Sequence, residues 1–125
     1  MGDRSNVVIY TNGRSNPPVC LYSHWGGDML ATVGAALKRG RDRWSDGEYL
    51  ARIVFCEMVG NDTRSTTGYG IGTACNGDLN NPVLVLDPDA QTATEHSCMN
   101  LDADGLPAGP ALRSWTFAEL AELVK

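Results

Sequence analysis

The stretch VVIYTNGRSNPPVCLY, residues 7–22, decides the fold of this protein. It contains two apolar, β-branched runs separated by a polar segment with an Asn-Gly turn signal and a Pro-Pro pair. This pattern predicts an antiparallel hairpin whose strands are Val7–Tyr10 and Val19–Tyr22. The later connections are of hairpin length, and no alternation of strand, helix and strand is visible along the chain. These features favour an α+β fold.

Two helices are predicted to follow the hairpin. In residues 28–39 apolar side chains recur at helical spacing, and Gly40 ends the helix. The second helix begins with a capping box of Ser45 and Glu48 and extends to about residue 59. Its segment Ile53–Cys56 also has the composition of a strand, which is the alternative for this region.

Three antiparallel strands are predicted after the second helix. They cover Tyr69–Cys75, the segment PVLVLDP at residues 82–88, and Thr92–Cys98. Glycines at positions 68, 70 and 72 leave one face of the first of these strands without side chains. Another group can therefore approach that face closely.

A Gly- and Pro-rich loop over residues 100–110 leads to a last helix, which begins at a capping box of Thr116 and Glu119 and runs to the chain end. The order of elements is ββααβββα. We predict a single domain, residues 1–125, of the α+β class, with a mainly antiparallel sheet of about five strands and two to three helices on one face.

The composition is that of an ordinary globular protein. The 125 residues are 42% hydrophobic and 20% charged, with a net charge of -5. A net negative charge argues against binding to a nucleic acid duplex. No run approaches the roughly 20 apolar residues that span a bilayer, and residues 1–6 are polar. We therefore expect a cytoplasmic protein without a membrane partner.

Basic residues are concentrated in one part of the chain. From Asp78 onward the chain has 2 basic and 8 acidic residues, whereas half of all the cations lie within residues 38–52. These cations are Lys38, Arg39, Arg41, Arg43 and Arg52. Such a cluster suits a small anion, and the alternative is that its members form ion pairs with nearby carboxylates and with the acidic second part.

The four cysteines lack the CxxC spacing of zinc ribbons and thioredoxin-like sites. Cys20 and Cys56 lie in apolar runs, so we predict that both are buried, reduced and unligated. A zinc site made by Cys20 with His24, or by His96 with Cys98, is the alternative.

The segment LYSHWGGD, residues 21–28, has the sequence of an anion-binding turn. A strand passes through a histidine, a tryptophan and two glycines directly into a helix. Gly26 and Gly27 let a ligand approach the helix N-terminus, and His24 and Trp25 supply a donor and a stacking surface. The alternative is that Asp28 caps the helix itself and that Trp25 is part of the core.

Four motifs occur in a fixed order along the chain. LYSHWGG is followed by RGRDRW at Arg39–Trp44, YLARIVF at Tyr49–Phe55 and TGYGI at Thr67–Ile71. Over roughly its first 90 residues the sequence thereby resembles a family of small, uncharacterised phage and prophage proteins. The resemblance implies a one-domain phage accessory protein and transfers no catalytic residue. By analogy, small phage proteins often antagonise host defence, and one class sequesters nucleotide immune signals without cleaving them.

Motifs of known enzyme classes are missing from the sequence. There is no GxSxG, HExxH or HxH, and TGYGIG lacks the P-loop lysine. A small hydrolase remains an alternative through His24 beside Ser23 and His96 beside Ser97. We assign no catalytic residue, no metal and no cofactor.

We therefore predict a phage-encoded accessory protein that binds a small anionic, nucleotide-like ligand. Exposed strand edges are expected to pair with a second copy and give a homo-oligomer. A protein-interaction or virion-associated structural module is the alternative function. The candidate ligand-binding residues combine rings, glycines and arginines, and they are Tyr22, His24, Trp25, Gly26, Gly27, Arg39, Arg41, Arg43 and Tyr69.

Overall fold

A computed structural model describes residues 3–25, 28–75 and 80–124. Within these ranges the chain forms six strands and three α-helices, with a short 3-10 turn at Arg41–Arg43 between the first two helices. In chain order they are β1 (Ser5–Ile9), β2 (Val19–Ser23), α1 (Met29–Arg39), α2 (Gly47–Val59), β3 (Tyr69–Gly72), β4 (Val83–Asp87), β5 (Thr92–His96), β6 (Arg113–Thr116) and α3 (Phe117–Glu122).

The strands form one sheet in the order β3-β2-β1-β4-β5-β6. Neighbouring strands are antiparallel except for the central pair β1 and β4, which are parallel with Val7 opposite Leu84. The predicted α+β class and the opening hairpin are confirmed. The described sheet is mixed and has six strands rather than about five.

The predicted run of three consecutive antiparallel strands is wrong at its first member. β3 pairs with β2 at one edge of the sheet, and β4 takes the central position beside β1. Every residue of β4 is buried, so side chains on both faces of this strand must pack against other residues, as they do in a central strand. The glycine-rich β3 has little side chain to bury and lies at the edge.

The helices of the first half begin and end close to their predicted positions. Residues 53–56 are helical, so the strand alternative for this segment is wrong. The N-cap of α2 is Asp46, whose carboxylate accepts the Tyr49 amide at 3.4 Å, and not Ser45 as predicted. Aspartate and serine cap helices equally well, and the helix begins one residue later than predicted, at the aspartate.

The capping box of Thr116 and Glu119 is confirmed at the start of α3, but this helix ends at Glu122 rather than at the chain end. β6, directly before it, was not predicted. β6 has four residues, none of them fully buried, and it pairs only with β5. A strand this short and exposed has no local signal that distinguishes it from a loop.

Apolar side chains form clusters on both faces of the sheet. The larger cluster joins all three helices to one face, with Val7, Leu21, Leu86 and Phe117 among its buried members. The smaller one lies on the opposite face around Val8 and Val85, together with apolar residues from the loop after β5. No helix in the described part of the chain is long and apolar enough to cross a bilayer.

Candidate ligand-binding site

The end of β2 carries the first candidate residues. The Tyr22 hydroxyl and Nδ1 of His24 are 3.1 Å apart and share a hydrogen bond. The His24 amide donates to the Gly68 carbonyl at 2.8 Å, and the His24 carbonyl accepts from the Asp3 amide at 2.7 Å. Chain segments on both sides therefore fix the backbone at this position.

Trp25 extends this group of rings around the end of the sheet. Its ring lies 5.3 Å from that of His24 and 5.6 Å from that of Tyr69, centroid to centroid. A methyl group on Gly68 would overlap the indole, so the indole occupies the space beside this glycine. Trp25 is nevertheless 57% exposed, and its predicted alternative role as a core residue is wrong. We call Tyr22, His24, Trp25 and Tyr69 the aromatic patch.

Asp28 caps the N-terminus of α1, as the alternative to an anion-binding turn predicted. Its carboxylate accepts the Ala31 amide at 3.4 Å, and its carbonyl accepts from Thr32. This negative charge already complements the positive end of the helix dipole. The predicted ligand contacts of Gly26 and Gly27 lie outside the described residues.

The three candidate arginines lie at the other end of α1, so within one chain they do not join the candidate residues Tyr22, His24 and Trp25 in one site. Arg39 ends α1, which has 11 residues and is therefore about 16 Å long. Arg39 donates twice to Glu57, at 3.1 and 3.0 Å. Arg41 lies over the Trp44 ring and Arg43 over the Tyr49 ring. The side chain of Arg41 lies 3.8 Å from Glu122, and that of Arg43 lies 4.0 Å from Asp46. The alternative prediction, that these arginines form ion pairs, is therefore confirmed.

Two of the three glycines predicted to leave a bare face do so. Gly70 pairs with Tyr22 and Gly72 with Cys20, so these glycines lie on the sheet face opposite the helices. Together with Asn6 they line a groove of about 290 Å³. Gly68 does not contribute to this bare face, because the Trp25 ring covers it.

A polar cleft that the sequence did not indicate lies on the helix side of the sheet. Its volume is about 270 Å³, and Asp28, Asn81, Glu95 and Arg113 supply its polar lining. Glu95 is buried and receives two hydrogen bonds from Arg113, at 2.8 and 2.9 Å. This bond and the charge of Glu95 raise the pKa of Arg113 above its usual value. Arg113 belongs to the strand that was not predicted, which is why sequence reasoning missed the cleft.

Hydrogen bonds of Asp3 connect the backbone beside the aromatic patch with Asn81 at the cleft. The Asp3 amide donates to the His24 carbonyl, and the Asp3 carboxylate accepts from the Asn81 side chain at 2.9 Å. Stacking rings and a polar cleft thus lie at the same end of the sheet, where β2 ends and α1 begins.

The remaining candidate residues are the cysteines and His96. Cys20 is buried as predicted, but Cys56 is exposed, because it lies on the face of α2 opposite the buried Ala51 and Val54. Both ring nitrogens of His96 lie within hydrogen-bonding distance of protein oxygens, on Thr94 and Gly109. Among the described residues no group of three or more His, Cys, Asp or Glu side chains is placed to hold a metal ion.

Comparisons with known proteins give no further assignment. No protein-family model, no curated protein and no solved structure matches this chain. The fold and the site therefore define the class: an α+β protein with a mixed sheet, an exposed aromatic patch and a polar cleft at the same end of the sheet.

Proposed function

We propose that this protein binds a small ligand that carries a planar ring and one charged group. The ring stacks on the aromatic patch, and the charged group extends along the same end of the sheet toward the polar cleft. The observation that carries this proposal is the exposure of Trp25, which is 57% exposed although neighbouring groups hold its ring in place.

The other large rings of the chain show what is unusual about Trp25. Phe117 is fully buried, and Trp44 packs against the core while its indole donates to the Leu37 carbonyl at 2.8 Å. Tyr49 is also exposed, but the Arg43 guanidinium covers its ring. A tryptophan ring offers on the order of 200 Å² of contact surface, and a ring that is already positioned loses little entropy when a ligand stacks on it.

The charges of the cleft limit the ligand's charged group. The Arg113 side chain is 56% exposed, and its Nε and one Nη donate to Glu95, so the second Nη is the group left to pair with a phosphate or carboxylate oxygen. Asp28 and Glu95 place two carboxylates in the same cleft. A single anionic group beside Arg113 therefore fits better than a polyphosphate, which the carboxylates would repel.

The resemblance to phage proteins suggests a role for such a ligand. A nucleotide has a planar base that suits the aromatic patch and a phosphate charge that suits Arg113. Because Arg113 lies four strands away from β2 in the sheet, the ligand that uses both is an extended nucleotide. We propose sequestration of a host nucleotide signal by a phage accessory protein as the biological function.

The proposal is tested by a panel of cyclic mononucleotides and ADP-ribose-type ligands. A ligand that binds the folded protein raises Tm with increasing concentration and quenches the fluorescence of Trp25. We expect Trp25→Ala to lose both responses. Tyr49→Ala, which removes an exposed ring outside the patch, serves as the matched control and should retain them. Absence of both responses for every ligand in the wild-type protein contradicts the proposal.

The arginines at the far end of α1 provide a second arm of the test. Arg41→Ala combined with Arg43→Ala removes exposed ion pairs that are each worth about 1 kcal/mol or less, so Tm should change little. We expect ligand affinity to stay within about twofold of wild type, because the two ends of the helix are separated. A salt-dependent loss of binding would instead show that a second copy supplies these arginines across a dimer.

A protein-interaction module is the second candidate, and the edge strand β3 favours it. Ile71 on this strand is 67% exposed, and β3 pairs with a neighbouring strand on only one side. An open strand edge with an exposed apolar side chain is a site at which another chain can add a strand.

A further inference from the structure

Cys20 and Cys75 form a pair of neighbouring thiols on the sheet face opposite the helices. Cys20 lies in β2, and Cys75 follows β3 closely. Their side chains share a hydrogen bond, and their exposed fractions are 1% and 9%. Both belong to the smaller apolar cluster with Val8 and Val85.

The hydrogen bond gives the two thiols different chemistry. The bond from Cys75 stabilises the Cys20 thiolate and lowers the pKa of Cys20, although burial opposes this change. The pKa of Cys75 is raised by the same bond, by burial and by the negative charges of Cys20 and Asp102. Two neighbouring thiols, one of which ionises more readily than the other, have the arrangement of an attacking and a resolving cysteine.

The glycine-lined groove gives a small oxidant access to this pair. The groove has a volume of about 290 Å³, and both Cys20 and Cys75 line it. Gly70 and Gly72 contribute no side chain that would close it. A molecule of the size of hydrogen peroxide fits in this volume, whereas a folded protein does not.

We propose that Cys20 and Cys75 are an oxidative modification site at which a small peroxide produces a reversible intramolecular disulfide. The groove shares Tyr22 with the aromatic patch, but neither thiol belongs to the patch and the modification does not depend on the ligand proposed above. Its substrates are the two thiols and one peroxide.

The reaction balances with hydrogen peroxide as the oxidant. The Cys20 thiolate attacks one peroxide oxygen, the O–O bond breaks, and the departing hydroxide takes up a proton to give water. The resulting sulfenic acid on Cys20 is attacked by the Cys75 sulfur; the S–S bond forms, the S–O bond breaks, and the Cys75 proton and the hydroxide form a second water. A dithiol reductant reverses the disulfide by exchange.

Peptide mapping of the full-length protein tests the proposal. The protein is treated with hydrogen peroxide, its remaining thiols are alkylated, and it is digested without reduction by trypsin together with a protease that cleaves before aspartate. The second enzyme is needed because no Lys or Arg separates Cys75 from Cys98, whereas Asp78 does. We expect a peptide pair that links Cys20 to Cys75, lighter than its reduced sum by two hydrogen atoms.

The exposed thiol of Cys56 supplies the matched control. Cys56→Ser should leave the Cys20–Cys75 link intact, and Cys20→Ser and Cys75→Ser should each abolish it. The link closes a long loop, so we expect oxidation to raise Tm of the wild-type protein by about 5 °C or more, with the change reversed by dithiothreitol. Three outcomes in the wild-type protein would each overturn the proposal: preferential linkage of Cys75 to Cys98, disulfides only between chains, or no linkage. Mapping of the wild-type protein decides this even if a variant fails to fold.

Discussion

Gly68 is the residue on which the position of the Trp25 ring depends. Its φ is +96°, a backbone conformation that residues other than glycine rarely adopt. Its carbonyl accepts a hydrogen bond from the His24 amide. The absence of a side chain lets the indole lie directly against the backbone. One glycine therefore satisfies both a backbone and a packing requirement.

Gly68→Ala should move the Trp25 ring out of the aromatic patch. The added methyl group overlaps the indole and also places a side chain at positive φ, so we expect a loss of about 1–3 kcal/mol in the free energy of unfolding. Urea denaturation measures this loss, and the tryptophan emission of the folded variant reports the displaced ring.

Gly60→Ala is the matched control for this substitution. Gly60 also has positive φ, at +59°, but a methyl group there meets nothing within 4 Å. We expect backbone strain of about 1–3 kcal/mol without a change in tryptophan emission. Equal emission changes in both variants would show that the ring does not depend on Gly68.

At the scale of elements, local sequence signals predicted what local interactions determine. The hairpin, the extents of α1 and α2 and the cap of α3 follow from turn residues, periodicity and capping. The placement of β4 beside β1 and the existence of β6 depend on residues far apart in sequence. No local pattern encodes such pairings.

The same distinction separates the two parts of the predicted site. Tyr22, His24 and Trp25 are close in sequence, and Tyr69 joins them because the β2–β3 register places it opposite Ser23. The arginines were predicted to share a site with this group only because their charge suits an anionic ligand. The length of α1, which is a simple consequence of its residue count, keeps them apart.

The edge strand β3 leads to a prediction about assembly. Two copies can pair through this edge, with Ile71, 67% exposed, at the contact. We expect a homodimer in light scattering at high micromolar concentration, and Ile71→Lys should shift it to the monomer, because a charge on an edge strand opposes strand addition.

Met99→Lys is the control for the apolar-to-charged change. Met99 is 86% exposed but lies in the loop after β5 and not on a strand edge, so its replacement should leave the dimer intact. A wild-type monomer at the same concentration contradicts assembly through β3.

At the scale of the whole molecule, ion pairs join the two unequally charged parts of the chain. Arg14, from the β1–β2 connection, donates to the Asp87 carboxylate at 2.9 Å at the end of β4. Burial opposes ionisation of Asp87, but the hydrogen bonds from Arg14 and from the amides of Ala90 and Asp89 outweigh it. The pKa of Asp87 is therefore lowered.

This lowered pKa predicts how the stability of the protein depends on pH. The contribution of Asp87 is fully present above its unfolded-state pKa of about 4 and is lost as the pH falls through the lower folded-state pKa. We expect Asp87→Asn to be less stable than wild type at pH 6 and to lose less stability on acidification. Urea midpoints measured between pH 6 and pH 2 test this, with Asp62→Asn, at an exposed loop carboxylate, as the charge control. Parallel curves for wild type and Asp87→Asn would contradict the assignment.

The parallel pairing of β1 with β4 also sets the order of events while the protein is being made. β1 can join β2 as soon as both strands have left the ribosome, but its other edge has no partner until Val83–Asp87 has been synthesised. At roughly 5–20 residues per second the nascent chain therefore displays the apolar edge of Val7 and Ile9 for several seconds. During that interval this edge is available to chaperones and to neighbouring nascent chains. Slower translation of the codons between β2 and β4 should thus lower the yield of soluble protein without any change in the sequence of the product.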